Sequence, residues 1–215
     1  LRFIKDKKIH LIEDVCESHG ARLGNKKIGT FGLMSNFSFY YGHHMTTIEG
    51  GMISTNSKEI DRIAKMKRGH GLLRDSQDPK LIKKIKSKYK DLNSDFIFLT
   101  EGFNFRSNEL SAVIGLEQIK RLNRNIKIRN VNHKLFLKNL RKDIFISDFN
   151  LSGSSNYGLH LIMKEKNKTM FKKVIDTLTL NSIEYRIGSA GGGNQLRQPY
   201  LKNLRNKFNF KNLQN

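Results

Sequence analysis

An α/β fold is predicted for this chain by three features of its sequence. Short apolar runs end in acids or glycines, amphipathic segments at helical spacing lie between them, and the composition (37% hydrophobic, 27% charged) suits a globular core. The 215 residues can hold one large domain or two small ones.

Residues 9–12 lie between Lys7-Lys8 and Glu13-Asp14 and read as a buried strand that ends in an acid. Asp14 then stands at the strand's carboxyl end, the edge where ligands bind in α/β sheets; a helix cap is the alternative for an acid at that position. Residues 23–29 carry turn chemistry and predict a hairpin-like excursion, with Gly32 closing a second turn. The aromatic, alternating stretch 35–41 and the stretch 50–55 read as strands. Ser57 is placed to cap a helix over 58–68 that gathers Ile60, Ile63 and Ala64 on one face.

Residues 71–99 are polar and lysine-rich and predict a surface excursion with one amphipathic segment over 81–89. Ser107 heads the longest element, a helix in which Leu110, Val113, Ile114, Leu116, Ile119 and Leu122 recur at helical spacing as far as about Leu140. Past Lys142 a strand (157–163), a helix (169–180) and a strand (183–187) predict a second small α/β unit, so the domains are 1–142 and 143–215. The tail over 191–215 holds no completed element, and no repeat is visible.

Composition excludes several classes. The single cysteine, Cys16, cannot form an intramolecular disulfide, a four-thiolate zinc site or a cysteine-ligated iron–sulfur cluster, so a reducing, cytoplasmic setting is expected. No stretch approaches the roughly 20 apolar residues that span a bilayer, and no membrane association is expected. The chain opens at Leu1, without an initiator Met and in what reads as the middle of an element, which suggests a fragment. The net charge of +21 invites a nucleic-acid reading. Basic residues are spread along the chain without an aromatic-interleaved platform or zinc finger, so attraction of an anionic substrate or plain solubility is the expectation, with no specific nucleic acid.

The densest collection of reactive side chains is residues 37–51, where Ser38, His43, His44, Glu49, Gly50 and Gly51 meet in one strand-loop-strand connection. Adjacent histidines on extended chain point to opposite sides, which argues against one metal held by both. A histidine here suits proton transfer near neutral pH and equally suits an exposed loop without a role. Ser38 is a possible phosphate donor. The glycine loop 191–193 lacks the Lys-Ser/Thr continuation of a nucleotide triphosphatase. Cys16 reads as a nucleophile or, more simply, as a small buried apolar side chain.

Five segments are spaced and ordered as in a known family: residues 13–21 (Glu-Asp-Val-Cys-Glu-Ser-His-Gly-Ala), 29–32 (Gly-Thr-Phe-Gly), 37–39 (Phe-Ser-Phe), 49–52 (Glu-Gly-Gly-Met) and 102–106 (Gly-Phe-Asn-Phe-Arg). The chain resembles the DegT-type sugar aminotransferases over nearly its whole length. That resemblance implies the aspartate-aminotransferase-like pyridoxal-phosphate fold type I, here the C-terminal part of its large domain and most of its small one, in a homodimer acting on a nucleotide-linked keto sugar. It implies that Asp14 pairs with the cofactor's pyridine nitrogen, that Glu17 lies beside the ring hydroxyl, that Ser38 binds the cofactor phosphate, and that Asn104 reaches the phosphate of the neighbouring subunit.

One departure stands out: His43 occupies the position of the lysine that tethers the cofactor. The exchange resembles the 3-dehydratase branch of the family, as does the Gly193-Asn194-Gln195-Leu196-Arg197-Gln198-Pro199 segment. Resemblance to that branch implies noncovalently held pyridoxamine 5'-phosphate, His43 as base and acid, loss of the C3 hydroxyl from a 4-keto-6-deoxy nucleotide sugar of the GDP-4-keto-6-deoxymannose kind, and glutamate as amino donor. It places the chain in deoxysugar and polysaccharide (O-antigen) biosynthesis, with Arg186 and Asn194 toward the nucleotide. The alternatives are a transaminase of the same family and a catalytically degenerate relative.

Overall fold

The computed structural model describes residues 2–5, 7–188, 195 and 198–201. After a helical turn, α1 (Arg2–Lys5), come β1 (Ile12–Asp14), β2 (Arg22–Leu23), β3 (Lys26–Lys27), β4 (Met34–Ser38) and β5 (Gly51–Thr55). The short hairpin β2–β3 turns through Gly24-Asn25, as its glycine predicts. The other three strands form one sheet in the order β1-β4-β5, with β1 parallel and β5 antiparallel to β4.

Register decides what meets at the sheet's end. Asp14 lies opposite Asn36, and Ser38 opposite Gly51. Because β1 and β4 are parallel, Asp14 and Ser38 finish their strands at the same edge. The first strand starts at Ile12 rather than Ile9 and is not buried: Ile9 and Ile12 are 52% and 58% exposed, because among the described residues β1 has a strand partner on one side only.

Helix α2 (Lys58–Arg68) begins as its sequence predicts, with Ser57 Oγ accepting the Ile60 N–H at 3.3 Å. The following stretch is no simple surface excursion. Leu72, Leu73 and Ile97 are buried with Met66, and the Leu73 N–H donates to the Ile97 carbonyl at 2.9 Å. These core residues lie in two short, separate apolar runs, 72–73 and 96–99, with no sustained periodicity, so pattern reading passes over them. Gly71 makes the packing possible: its φ is +82°, and a Cβ there would lie 1.7 Å from the Thr100 carbonyl oxygen. Helix α3 (Pro79–Lys88) follows, capped by Asp78 through the Leu81 N–H at 3.0 Å.

The long helix α4 (Glu109–Asn139) is capped by Asn108, which accepts the Ser111 N–H at 2.8 Å, and not by Ser107. Of its apolar residues Leu110, Val113, Leu116 and Ile119 are exposed, whereas Leu137 is buried. Among the described residues no helix is long and apolar enough to cross a membrane.

The chain forms two compact units, Leu1–Ile162 and Met163–Asn215. Residues 143–162 group with the first because residues 153–157 are bonded to it: Asn130 Nδ2 donates to the Ser154 carbonyl at 2.6 Å and Arg129 Nη1 to the Tyr157 carbonyl at 2.9 Å. The second unit contains α5 (Lys168–Leu180), capped by Asn167. The strands predicted over 157–163 and 183–187 do not form. Among the described residues, 157–162 gain one backbone–backbone bond, Ile146 N–H to the Ile162 carbonyl at 2.8 Å, rather than a ladder, and Ile183 and Ile187 are exposed without a strand beside them.

Candidate active site

The shared carboxyl edge of β1 and β4 gathers the functional side chains. Asp14 is exposed, and its Oδ1 accepts the Cys16 N–H and Asn36 Nδ2, each at 3.1 Å. The Cys16 thiol and backbone N–H, then Asn36, hold the Asp14 carboxyl below its ordinary range, and His43 lies near enough to lower it further. An ionised carboxylate open to one more donor suits a protonated ring nitrogen. Cys16 also accepts from Asn36 Nδ2 at 3.2 Å. Burial, with the Asp14 carboxylate beside it, pushes the Cys16 thiol up to about 11, which suppresses the thiolate a nucleophile needs.

Ser38 Oγ accepts the Tyr40 N–H at 3.2 Å, and its own hydrogen finds no acceptor among the described residues, which leaves a donor for a phosphate oxygen. From there residues 39–50 fold back on Phe39, whose carbonyl accepts both the Thr47 N–H at 2.9 Å and Thr46 Oγ1 at 3.2 Å, while its N–H donates to the Gly50 carbonyl at 2.8 Å. Gly50 is required at the end of this loop: at φ +156° a Cβ would stand 2.5 Å from Thr47 Oγ1. Ile48 takes a left-handed φ of 73°, a costly conformation for a β-branched residue and one that this closed loop imposes.

The loop separates the adjacent histidines. His44 is buried, with Nε2 3.3 Å from the Ser155 carbonyl. Burial, then the Arg129 charge, moves its imidazole toward the neutral form. His43 is half-buried, its N–H donates to the Tyr40 carbonyl at 3.0 Å, and its Nδ1 is buried without a hydrogen-bond partner among the described residues. Its ring packs edge-on against Tyr40 and Tyr157, with centroids 5.4 Å away in each case.

Behind this pair sits His19, buried, stacked on Phe37 at 5.7 Å and edge-on to His44 at 5.6 Å. Burial pushes its imidazole down to about 4, with the charges of His44 and His43 adding to it. A histidine whose folded pKa lies below its ordinary 6.5 contributes stability that is complete above pH 6.5 and is lost as pH falls toward 4, here about 3 kcal/mol. The His19→Phe variant is therefore expected to lose less melting temperature than the wild type between pH 7.5 and pH 5. Parallel losses in the two proteins would refute this account of the acid sensitivity.

The other residues singled out by sequence lie elsewhere. Glu17 is exposed beside Cys16 and takes no hydrogen bond from the loop over 39–50 among the described residues. Asn104 is exposed and bridged to Gly69, on a segment fastened to the end of α2 by Phe103 N–H to the Lys67 carbonyl (2.6 Å) and Phe105 N–H to the Arg68 carbonyl (2.8 Å). No hydrogen bond among the described residues joins it to the group around Asp14. Arg186 is exposed in the second unit, and Asn194, with Gly193 and Arg197, lies outside the described residues.

Two residues carry more of the site than their sequence positions suggest. Glu13 turns away from Asp14, and its carboxylate accepts the backbone N–H groups of Gly29 (2.6 Å), Phe31 (2.7 Å) and Gly32 (2.7 Å). Burial works against the charge, but those three donors, helped by Lys26, hold the Glu13 carboxyl below its ordinary range. Asn36 links Asp14 to Cys16. Its place opposite Asp14 follows from parallel pairing of two predicted strands, whereas nothing in the spacing of Glu13 points to a loop so far along the chain.

Residues 2–209 match the DegT/DnrJ/EryC1/StrS aminotransferase family, and the chain belongs to it. A GDP-4-keto-6-deoxy-D-mannose 3-dehydratase from Escherichia coli O55:H7 is 36% identical over 186 residues, covering 86% of this chain and 48% of the relative. The solved structure of the E. coli dehydratase with bound hydrated PLP superposes with a TM-score of 0.78 at 34% identity, over 96% of this chain and 52% of that one. A UDP-4-amino-4,6-dideoxy-N-acetyl-beta-L-altrosamine transaminase from Campylobacter jejuni is 29% identical over 157 residues, 73% of this chain and 38% of the relative. The architecture is therefore the α/β fold of the PLP-dependent aminotransferases. The chain spans about half the length of the curated relatives it matches.

Proposed function

We propose that the complete protein containing this chain is a nucleotide-sugar 3-dehydratase that uses pyridoxamine or pyridoxal phosphate. The observation that carries the reading is His43. An imidazole with a buried, unpartnered Nδ1 stands in the loop after Ser38, close enough to Asp14 to lower its carboxyl, and the chain offers no lysine at that position. Asp14 fits a protonated ring nitrogen, Ser38 a phosphate, and Glu17 the ring hydroxyl. Asn104, exposed on its own segment, suits a phosphate held by a second subunit in a homodimer.

The bound cofactor supplies an amine that condenses with the C4 ketone of the sugar and a ring that withdraws electrons. The chain's residues do the rest. Asp14 keeps the ring nitrogen protonated, so electron withdrawal persists through the reaction. His43 takes the proton from the cofactor's amine-bearing carbon and returns one to the departing C3 hydroxyl, which leaves as water; without a lysine no covalent tether competes with this exchange. Ser38 holds the phosphate and so fixes the reacting carbon relative to His43. Glutamate restores the amine, so the net change is a 3-deoxy-4-keto sugar, ammonia and 2-oxoglutarate from the 4-keto sugar and glutamate. Arg186 and Asn194 are assigned to the nucleotide, with 1–142 as the large-domain portion and 143–215 as the small-domain portion. The setting is the cytoplasm and the pathway is surface-polysaccharide deoxysugar synthesis.

The test is direct. The complete protein, given GDP-4-keto-6-deoxymannose, glutamate and cofactor, is expected to release ammonia and a product lighter than the substrate by one oxygen, read by mass spectrometry. A 4-amino sugar would establish the transaminase reading in its place, and no product from any 4-keto-6-deoxy nucleotide sugar would favour a degenerate relative.

A further inference from the structure

We propose that Tyr157 is a positioning residue for His43, fixing the imidazole by edge-on ring packing while Arg129 of α4 fixes Tyr157. The inference rests on the reading of His43 as the proton carrier. An imidazole delivers a proton along one direction only when its ring is held. A partner on the second nitrogen ordinarily does this. His43 Nδ1 has none among the described residues, so packing is what remains.

Two rings pack on it. Tyr40 lies at 5.4 Å and 70°, but it belongs to the same loop and moves with it. Tyr157 lies at 5.4 Å and 78°, comes from a distant part of the chain, and is anchored independently. Its carbonyl accepts Arg129 Nη1 at 2.9 Å, and its neighbours bond to Asn130, the Ser154 carbonyl accepting Nδ2 at 2.6 Å and the Asn156 N–H donating to Oδ1 at 2.9 Å. On the opposite side Ser155 Oγ donates to the His19 carbonyl at 2.6 Å and the Ser155 carbonyl meets His44 Nε2 at 3.3 Å. Residues 153–157 are thus a strap, bonded to α4 along one edge and to the histidines around His43 along the other. The Tyr157 hydroxyl has no partner among the described residues, so the aromatic ring is the part of this side chain that acts on His43.

The experiment uses the complete protein with ¹³C,¹⁵N-labelled histidine, first without cofactor or substrate. Wild type is expected to give one set of His43 ring resonances with through-space cross-peaks to Tyr40 and Tyr157. In Tyr157→Leu the Tyr157 contribution to the ring-current shift disappears and the Tyr40 cross-peak weakens as the imidazole samples other rotamers; Tyr157→Phe restores both. Arg129→Gln moves the resonances in the same direction as Tyr157→Leu and carries the test if the leucine variant fails to fold. Under turnover, Tyr157→Leu is expected to lower kcat about 10- to 100-fold with KM within about twofold, and Tyr157→Phe to recover it. An unchanged His43–Tyr40 cross-peak in the leucine variant overturns the proposal, as does a phenylalanine variant that behaves like leucine, since the hydroxyl would then be the working group. The ring readout needs no reaction, so a wild type without dehydratase activity would defeat the assigned reaction and still leave Tyr157 to be judged on the spectra.

Discussion

Replacing His43 by lysine is expected to abolish 3-dehydration by about 100-fold or more and to make the cofactor resistant to dialysis. The reasoning is chemical. A primary amine in the loop after Ser38 can bond covalently to the cofactor's aldehyde, which an imidazole cannot, and at neutral pH it is protonated and a poor base. Two measurements check this: product formation by mass spectrometry, and intact mass after borohydride reduction, where only the lysine variant should retain the cofactor. The companion His43→Asn variant removes the proton carrier without adding a tether, so it should lose dehydration and keep the cofactor dialysable. Near-normal dehydration in either variant would remove His43 from the chemistry.

The largest stability effect is expected at Glu13. In Glu13→Gln the side chain still reaches the loop over 29–32, but its Nε2 must face either the Gly29 N–H or the pair from Phe31 and Gly32. Donor then meets donor, and the remaining hydrogen bonds lose their charge assistance. A loss of about 2–4 kcal/mol follows, or a fall in Tm of roughly 5–15 °C. The pH dependence has a definite sign. The folded Glu13 carboxyl is held below its ordinary value of 4.5, so its contribution is present above that pH and disappears as pH falls through the folded value. Denaturant unfolding of wild type and variant at pH 7 measures the difference. A change under about 0.5 kcal/mol, the range of an ordinary surface substitution, would show that the clamp contributes little.

Much of the fold was legible in the residues for local reasons. Ser57 and the segment 58–68 predict a capped helix because cap and apolar face are set within a few positions, and the hairpin follows from Gly24-Asn25. What failed depends on distant partners. The apolar runs over 157–163 and 183–187 have strand composition, but a strand exists only where a neighbour completes its ladder. Leu72, Leu73 and Ile97 form core without a periodic pattern, through a glycine that lets the chain pass close to Thr100. At the site, Asp14, Ser38 and His43 were singled out by the family resemblance, since the residues alone left their roles open; the structure ends the strands of Asp14 and Ser38 at one sheet edge and sets His43 in the loop that follows. Glu13, Asn36 and Tyr157 were not singled out, because each acts across 16 or more residues of sequence: Glu13 on Gly29, Asn36 on Asp14, and Tyr157 beside Arg129.

The Ser155–His19 hydrogen bond joins residues 136 positions apart. A growing polypeptide leaving the ribosome can therefore pair its early strands long before it can enclose its imidazoles. Nascent chains halted before residue 155 lack the strap that bonds to His19 and His44, and an imidazole open to water titrates at its ordinary value near 6.5. Completion of the strap is thus the moment in synthesis when that acid-sensitive interior is sealed, and loop closure over such a span is slow.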